Sequence, residues 1–234
     1  GSAATHSLKA LSSAALRSTM IWALCPDAYY EEAKAMWLED NEDLAGILED
    51  VEYFMNARAN FEENLFELRE SGCEVFNLAC YDVPLFPLCK NYKTKNADRV
   101  IHAESPAMGA TFADLGTTLG EGYKAAGTYC SNPEHNHLSP DGVVDATTSL
   151  LPCTTWFFKG QSHEDLANND VVLNLATELM TDDNMIDVYS NPVAYPQFNG
   201  ARSMRNYNRN LSAGNYRHFS SFGIVSQFGK QRRF

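Results

Sequence analysis

The 234 residues suffice for one large domain or two small ones, and 44% hydrophobic with 12% aromatic side chains excludes a disordered polymer. Residues 1–200 hold all 30 acids against eleven bases, net −19, which repels phosphates and anionic headgroups and argues against nucleic acid as a partner. No apolar run approaches the ~20 residues that span a bilayer, and the opening GSAATHSLKAL lacks the apolar core of a signal peptide, so cytoplasmic and secreted locations both stay open.

The first seventy residues read as helical. SLKALSSAALRSTMIWALC is rich in Ala and Leu and stops before Pro26, and Asp27 can cap a second helix through AYYEEAKAMWLED. Leu44, Ile47, Leu48, Val51, Phe54 and Met55 then recur at helical steps until Ser71-Gly72. Residues 27–70 carry fourteen acids against three bases, which reads as a solvated helix face. Trp22, Trp37, Tyr29 and Tyr30 are expected to pack helices, or else to line a pocket.

From Glu74 the period shortens. EVFNLACYDVPLFPL, bounded by Gly72 and Pro84, predicts a strand, and TTWFFKG predicts a second. Between them, residues 91–152 read as loop, with VIHAES as a short extended piece. After the second strand comes a loop with His163, then NNDVVLNLATELMTDD, where Asn168 or Asn169 can cap a helix burying Val172, Leu175, Ala176 and Leu179. Two strands cannot stand alone as a sheet, so further strands are required. The last 34 residues hold seven bases and no acid, and are expected to be a loosely packed terminus or an arm docked on an acidic surface, ahead of a basic arm for nucleic acid.

Six cysteines, at 25, 73, 80, 89, 130 and 153, lack any CxxC spacing, so neither a zinc motif nor a dithiol motif is expected from them. Buried free thiols and disulfides are the two readings of these residues. His135 and His137 in EHNHLSPD, with Glu134 and Asp141 nearby, resemble part of a zinc ligand set, but the set is incomplete and a polar loop accounts for it. No metal and no cofactor is expected.

The segments KNADRVIHAESPAMGATFADLG, HNHLSPDGVVDATTSLLP, TTWFFKGQSHEDL and DVYSNPVAYPQFN resemble the C-terminal half of bacterial lipases and esterases of the α/β-hydrolase fold, over residues 74–199. The resemblance implies an α/β class with a mainly parallel sheet of few strands. It implies three regions: a helical lid or insertion at 1–72, the C-terminal part of the hydrolase core at 73–200, and a basic tail at 201–234. It also implies an ester or lipid substrate, a Ser–Asp–His mechanism, and His163 as the base. Taken without the resemblance, His163 reads equally as a surface loop histidine beside Glu164 and Asp165.

In that fold the serine sits in a G-x-S-x-G elbow, and the triad runs Ser, Asp or Glu, His along the chain. Gly160-Gln161-Ser162 begins the pattern but lacks the closing glycine, and no other serine fits. The chain is therefore expected to be the downstream half of a hydrolase, inactive alone, whose missing N-terminal half supplies the serine and the oxyanion hole. Asp98 in NADRVI is the first candidate for the acid, although Arg99 stands where glycine is usual and Ala97 precedes it as an insertion. Asp141 in SPDGVV is the alternative, and each aspartate also reads as a loop residue closing an Asx turn. Two other functions stay beside this one: a non-catalytic helical interaction module, and an acyltransferase with the same triad.

Overall fold

The computed structural model describes residues 31, 34, 35, 45–88, 92–200 and 227–231. The chain divides into two compact units, 1–71 and 72–234. In the first unit the expected apolar stripe forms two helices, α1 (Ala45–Ala59) and α2 (Phe61–Glu70), meeting at Asn60. Val51 and Leu65 are buried, while Glu62 and Glu63 open α2, where carboxylates favour the positive end of the helix dipole. The first helix expected before residue 41 lies outside the described residues, as do Trp22, Tyr29, Tyr30 and Trp37; of the second, residues 31, 34 and 35 are described and are helical.

The second unit is built on a four-stranded sheet. Its members are β1 (Cys73–Tyr81), β4 (Thr155–Lys159), β5 (Phe198–Asn199) and β6 (Gln227–Gln231), in the order β5-β4-β1-β6. β1 and β4 run parallel, with Asn77 opposite Thr155 and Tyr81 opposite Lys159, and β5 continues the parallel pairing at Phe157–Phe198. β6 pairs antiparallel with Cys73–Asn77, so part of the basic tail joins the sheet as a strand. Its residues were expected to be loosely packed or docked elsewhere.

Both faces of β1 and β4 are covered, as a parallel pair demands, and alternate residues serve opposite sides. Phe76, Leu78, Cys80, Trp156 and Phe158 meet α3 (Asp170–Thr181) through Val171, Val172, Leu175, Ala176 and Leu179. Ala79, Tyr81 and Phe157 meet Ala103, Ala107, Ala110, Phe112, Val143 and Val144 on the other side. Those last residues belong to the long connection, where β2 (Thr111–Phe112) and β3 (Val144–Asp145) pair antiparallel. This antiparallel pair falls inside the stretch read as loop. Conversely, the extended piece expected at VIHAES is a run of turns with one isolated bridge, Ala97 to His102. There Ala103 and Ala107 bury without strand pairing.

α3 starts where the capping chemistry predicts. Asn169 is extended, and its side-chain oxygen accepts the N–H groups of Val171 and Val172. Leu175 is fully buried at the centre of the helix–sheet contact. Leu175→Ala is expected to cost about 2–5 kcal/mol of unfolding free energy, and Asn169→Ala about 1 kcal/mol. Urea unfolding curves of the two variants check the order.

Candidate functional site

β1 and β4 end side by side, and their loops leave from one edge. β1 stops because Asp82 adopts φ +67°, a left-handed conformation that aspartate tolerates, with its N–H held by the Asn96 side chain at 2.8 Å. β4 stops at Gly160, φ +71°, whose N–H donates to the Tyr81 carbonyl at 2.8 Å. The first loop brings Asp98 to this edge and the second brings His163.

The two side chains meet. His163 Nδ1–H donates to Asp98 Oδ2 at 2.8 Å, and the His163 backbone N–H donates to the Asp98 carbonyl at 2.8 Å. Asp98 Oδ1 accepts the N–H groups of Val100 and Ile101 at 3.0 and 2.9 Å, so the carboxylate closes an Asx turn with one oxygen and holds the imidazole with the other. The Asp98 side chain is 3% exposed and that of His163 is 56% exposed. A buried carboxylate thus fixes the tautomer of an accessible ring, leaving the Nε2 lone pair outward. Arg99, beside it, takes φ +84°. The turn beside Asp98 needs a left-handed residue, and a side chain there costs on the order of 1 kcal/mol.

The other candidates have different partners. Asp141 accepts from Ser139 Oγ at 2.6 Å, Lys159 Nζ at 2.9 Å, Tyr81 OH at 3.1 Å and the Val143 N–H at 3.2 Å. Burial raises its pKa, but these donors outweigh burial and hold the carboxyl below the usual aspartate range. The bond to Asp141 raises the Lys159 pKa, with Asp82 3.4 Å from the ammonium. Burial pushes the Tyr81 hydroxyl far up. Of the two aspartates, Asp98 is the one bonded to His163. Ser162 is buried and donates to Asp165 at 2.8 Å. The Cys80 thiol is pushed far up by burial, with Asp98 and Asp165 adding to the shift, so it stays protonated.

A second polar cluster gathers residues that the spacing kept apart. Cys130 Sγ lies 3.5 Å from His135 Nδ1, 3.3 Å from His137 Nε2 and 4.0 Å from Cys153 Sγ. Cys153 Sγ lies 3.6 Å from His135 Nδ1 and 3.9 Å from His137 Nε2. All four donor atoms fall within 4.8 Å of one another. His135 and His137 are therefore not a partial set completed by Glu134 and Asp141. The groups beside them are two cysteines 23 residues apart, for which no local spacing signal exists. His137 is buried, which lowers its pKa, and the neighbouring His135 lowers it further against the opposing bond to Gln197. Tyr189 stacks on His135 with ring centres 3.9 Å apart, and burial, with Cys153, Cys130 and Asp187 adding, raises its hydroxyl to about 12.

The Asp141 network makes a pH-signed prediction. A carboxyl whose folded pKa is depressed contributes stability above its unfolded pKa, near ~3.9, and loses it as pH falls through the folded value. Lys159, with a raised pKa, contributes below its unfolded value near ~10.4 and loses it as pH rises through the folded one. Asp141→Asn should lower stability at pH 7 by about 1–3 kcal/mol, and the gap to wild type should close below about pH 4. Denaturation at a series of pH values reads both.

Comparison with protein-family models, curated proteins and solved structures finds no match to this chain.

Proposed function

We propose that this chain supplies the acid and the histidine of a serine ester hydrolase of lipase or esterase type. The observation that carries the reading is the 2.8 Å bond from His163 Nδ1–H to the buried Asp98 carboxylate, made by loops leaving adjacent parallel strands at one edge. The order Asp98 before His163 is the order of the α/β-hydrolase triad.

No G-x-S-x-G pattern occurs in these 234 residues, so the serine comes from a segment outside them. His163 Nε2 takes the serine proton as the oxygen attacks the ester carbonyl, then returns it to the departing alcohol. In the second half Nε2 takes a proton from water, which attacks the acyl-enzyme, and the acid product leaves as serine is regenerated. Asp98 orients the ring and stabilises the imidazolium.

In the longer protein with its serine segment, His163→Ala should lower kcat on p-nitrophenyl esters by a factor on the order of 10⁴ or more. Asp98→Asn should cost on the order of 10⁴ by favouring the wrong tautomer. Asp141→Asn should leave kcat within a few-fold. Undiminished turnover in His163→Ala would end the hydrolase reading. The 234 residues alone should neither turn over these esters nor be labelled by a fluorophosphonate, and stoichiometric labelling would refute the missing-serine assignment.

A further inference from the structure

We infer that Cys130, His135, His137 and Cys153 form a structural zinc site that pins the long connection between β1 and β4. This holds whether or not His163 is catalytic, since the two sites share no residue.

The geometry carries the assignment. Tetrahedral zinc with Zn–S near ~2.3 Å and Zn–N near ~2.05 Å sets S···N pairs about 3.6 Å apart and S···S pairs about 3.8 Å apart. Here the four S···N distances are 3.3, 3.5, 3.6 and 3.9 Å, and the S···S distance is 4.0 Å. A disulfide would bring the sulfurs to ~2.05 Å and leave both imidazoles without a purpose there. A cysteine nucleophile would use one thiol and one imidazole, and the second of each would be idle. Two thiolates with two imidazoles use every group, and zinc favours that donor set.

An outer layer prepares one ligand for the metal. His137 Nδ1–H donates to Gln197 Oε1 at 2.8 Å, which places the Nε2 lone pair toward the sulfurs. The Gln197 amide is itself oriented, because its N–H₂ donates to the Pro152 carbonyl at 2.7 Å and the Thr155 carbonyl at 3.3 Å. Tyr189 covers His135 by stacking.

With four protein ligands the site leaves no open position, which marks a structural rather than a catalytic metal. Binding displaces the two thiol protons and leaves a neutral centre of Zn²⁺, two thiolates and two neutral imidazoles. It joins the loop before β3 to the turn before β4. Through the Val188 N–H to Cys153 carbonyl bond and through Gln197, it also reaches the segment entering β5. Among the described residues the connection holds one named strand pair, the two-residue β2–β3, so a cross-link there supplements sparse sheet hydrogen bonding.

The test is metal content and spectroscopy on the 234-residue protein. Purified under reducing conditions, it should carry about one zinc per chain after gel filtration. The chelated protein titrated with Co²⁺ should develop tetrahedral ligand-field bands and a thiolate-to-cobalt charge-transfer band, saturating at one equivalent. Zinc removal should lower Tm by roughly 10 °C or more. Cys130→Ser and Cys153→Ser should lose the charge-transfer intensity and the zinc, whereas Cys73→Ser should keep both. Because a cysteine variant that lacks its metal can fail to fold, the cobalt titration of the wild-type chain stands without it. Zinc at background level, a cobalt complex without thiolate bands, or a Cys130–Cys153 disulfide in freshly purified protein would each overturn the assignment.

Discussion

The parallel pairing of β1 with β4 is the constraint from which the rest of the described core follows. Such a pair cannot be closed by a tight turn, so the chain must leave one end of the sheet and return to the other, here across residues 82–154. It must also be buried on both faces, since neither side alternates with polar residues. α3 answers on one side with Leu175 and its neighbours, and the long connection answers on the other with Ala103, Ala107, Phe112 and Val144. Placing strand ends next to each other then brings two loops, distant in sequence, to a single edge.

That edge is where polar chemistry collects, for a reason in the backbone. Loops have N–H and carbonyl groups to satisfy, and buried ones need side-chain partners. Asp98, Asn96, Asp141 and Ser139 meet that need with short bonds to N–H groups around them. A carboxylate has capacity beyond its own turn. Asp98 spends its second oxygen on His163, while Asp141 spends its second on Lys159 and Tyr81. One local motif therefore yields an imidazole-orienting group in one place and an ion pair in another. Only what stands opposite differs.

Each loop cluster binds together segments that share no strand ladder. The thiol–imidazole group links residues 130–137 to Cys153, and the Asp141 network links a hairpin turn to the last residue of β4. A connection of this length, whose described residues hold one two-residue strand pair, depends on such side-chain links where a sheet would use backbone bonds.

The strands at 74–81 and 155–159, the capped helix at 170–181 and its buried stripe were all legible, because each is written in a period of a few residues. The pair β2–β3 was hidden since a two-residue strand has no period to detect, and β6 because a basic, glycine-containing tail carries no strand signature until β1 offers it an edge. The sequence by itself determined the mixed α/β class, the helical stripe over residues 44–71 though not its break at Asn60, and the pair Asp98 and His163 as candidates. Which aspartate meets the histidine, and that Cys130 and Cys153 converge on His135 and His137, were decided by tertiary structure alone. Those meetings depend on where loops return in space, and loop return is set by packing on the sheet rather than by spacing along the chain.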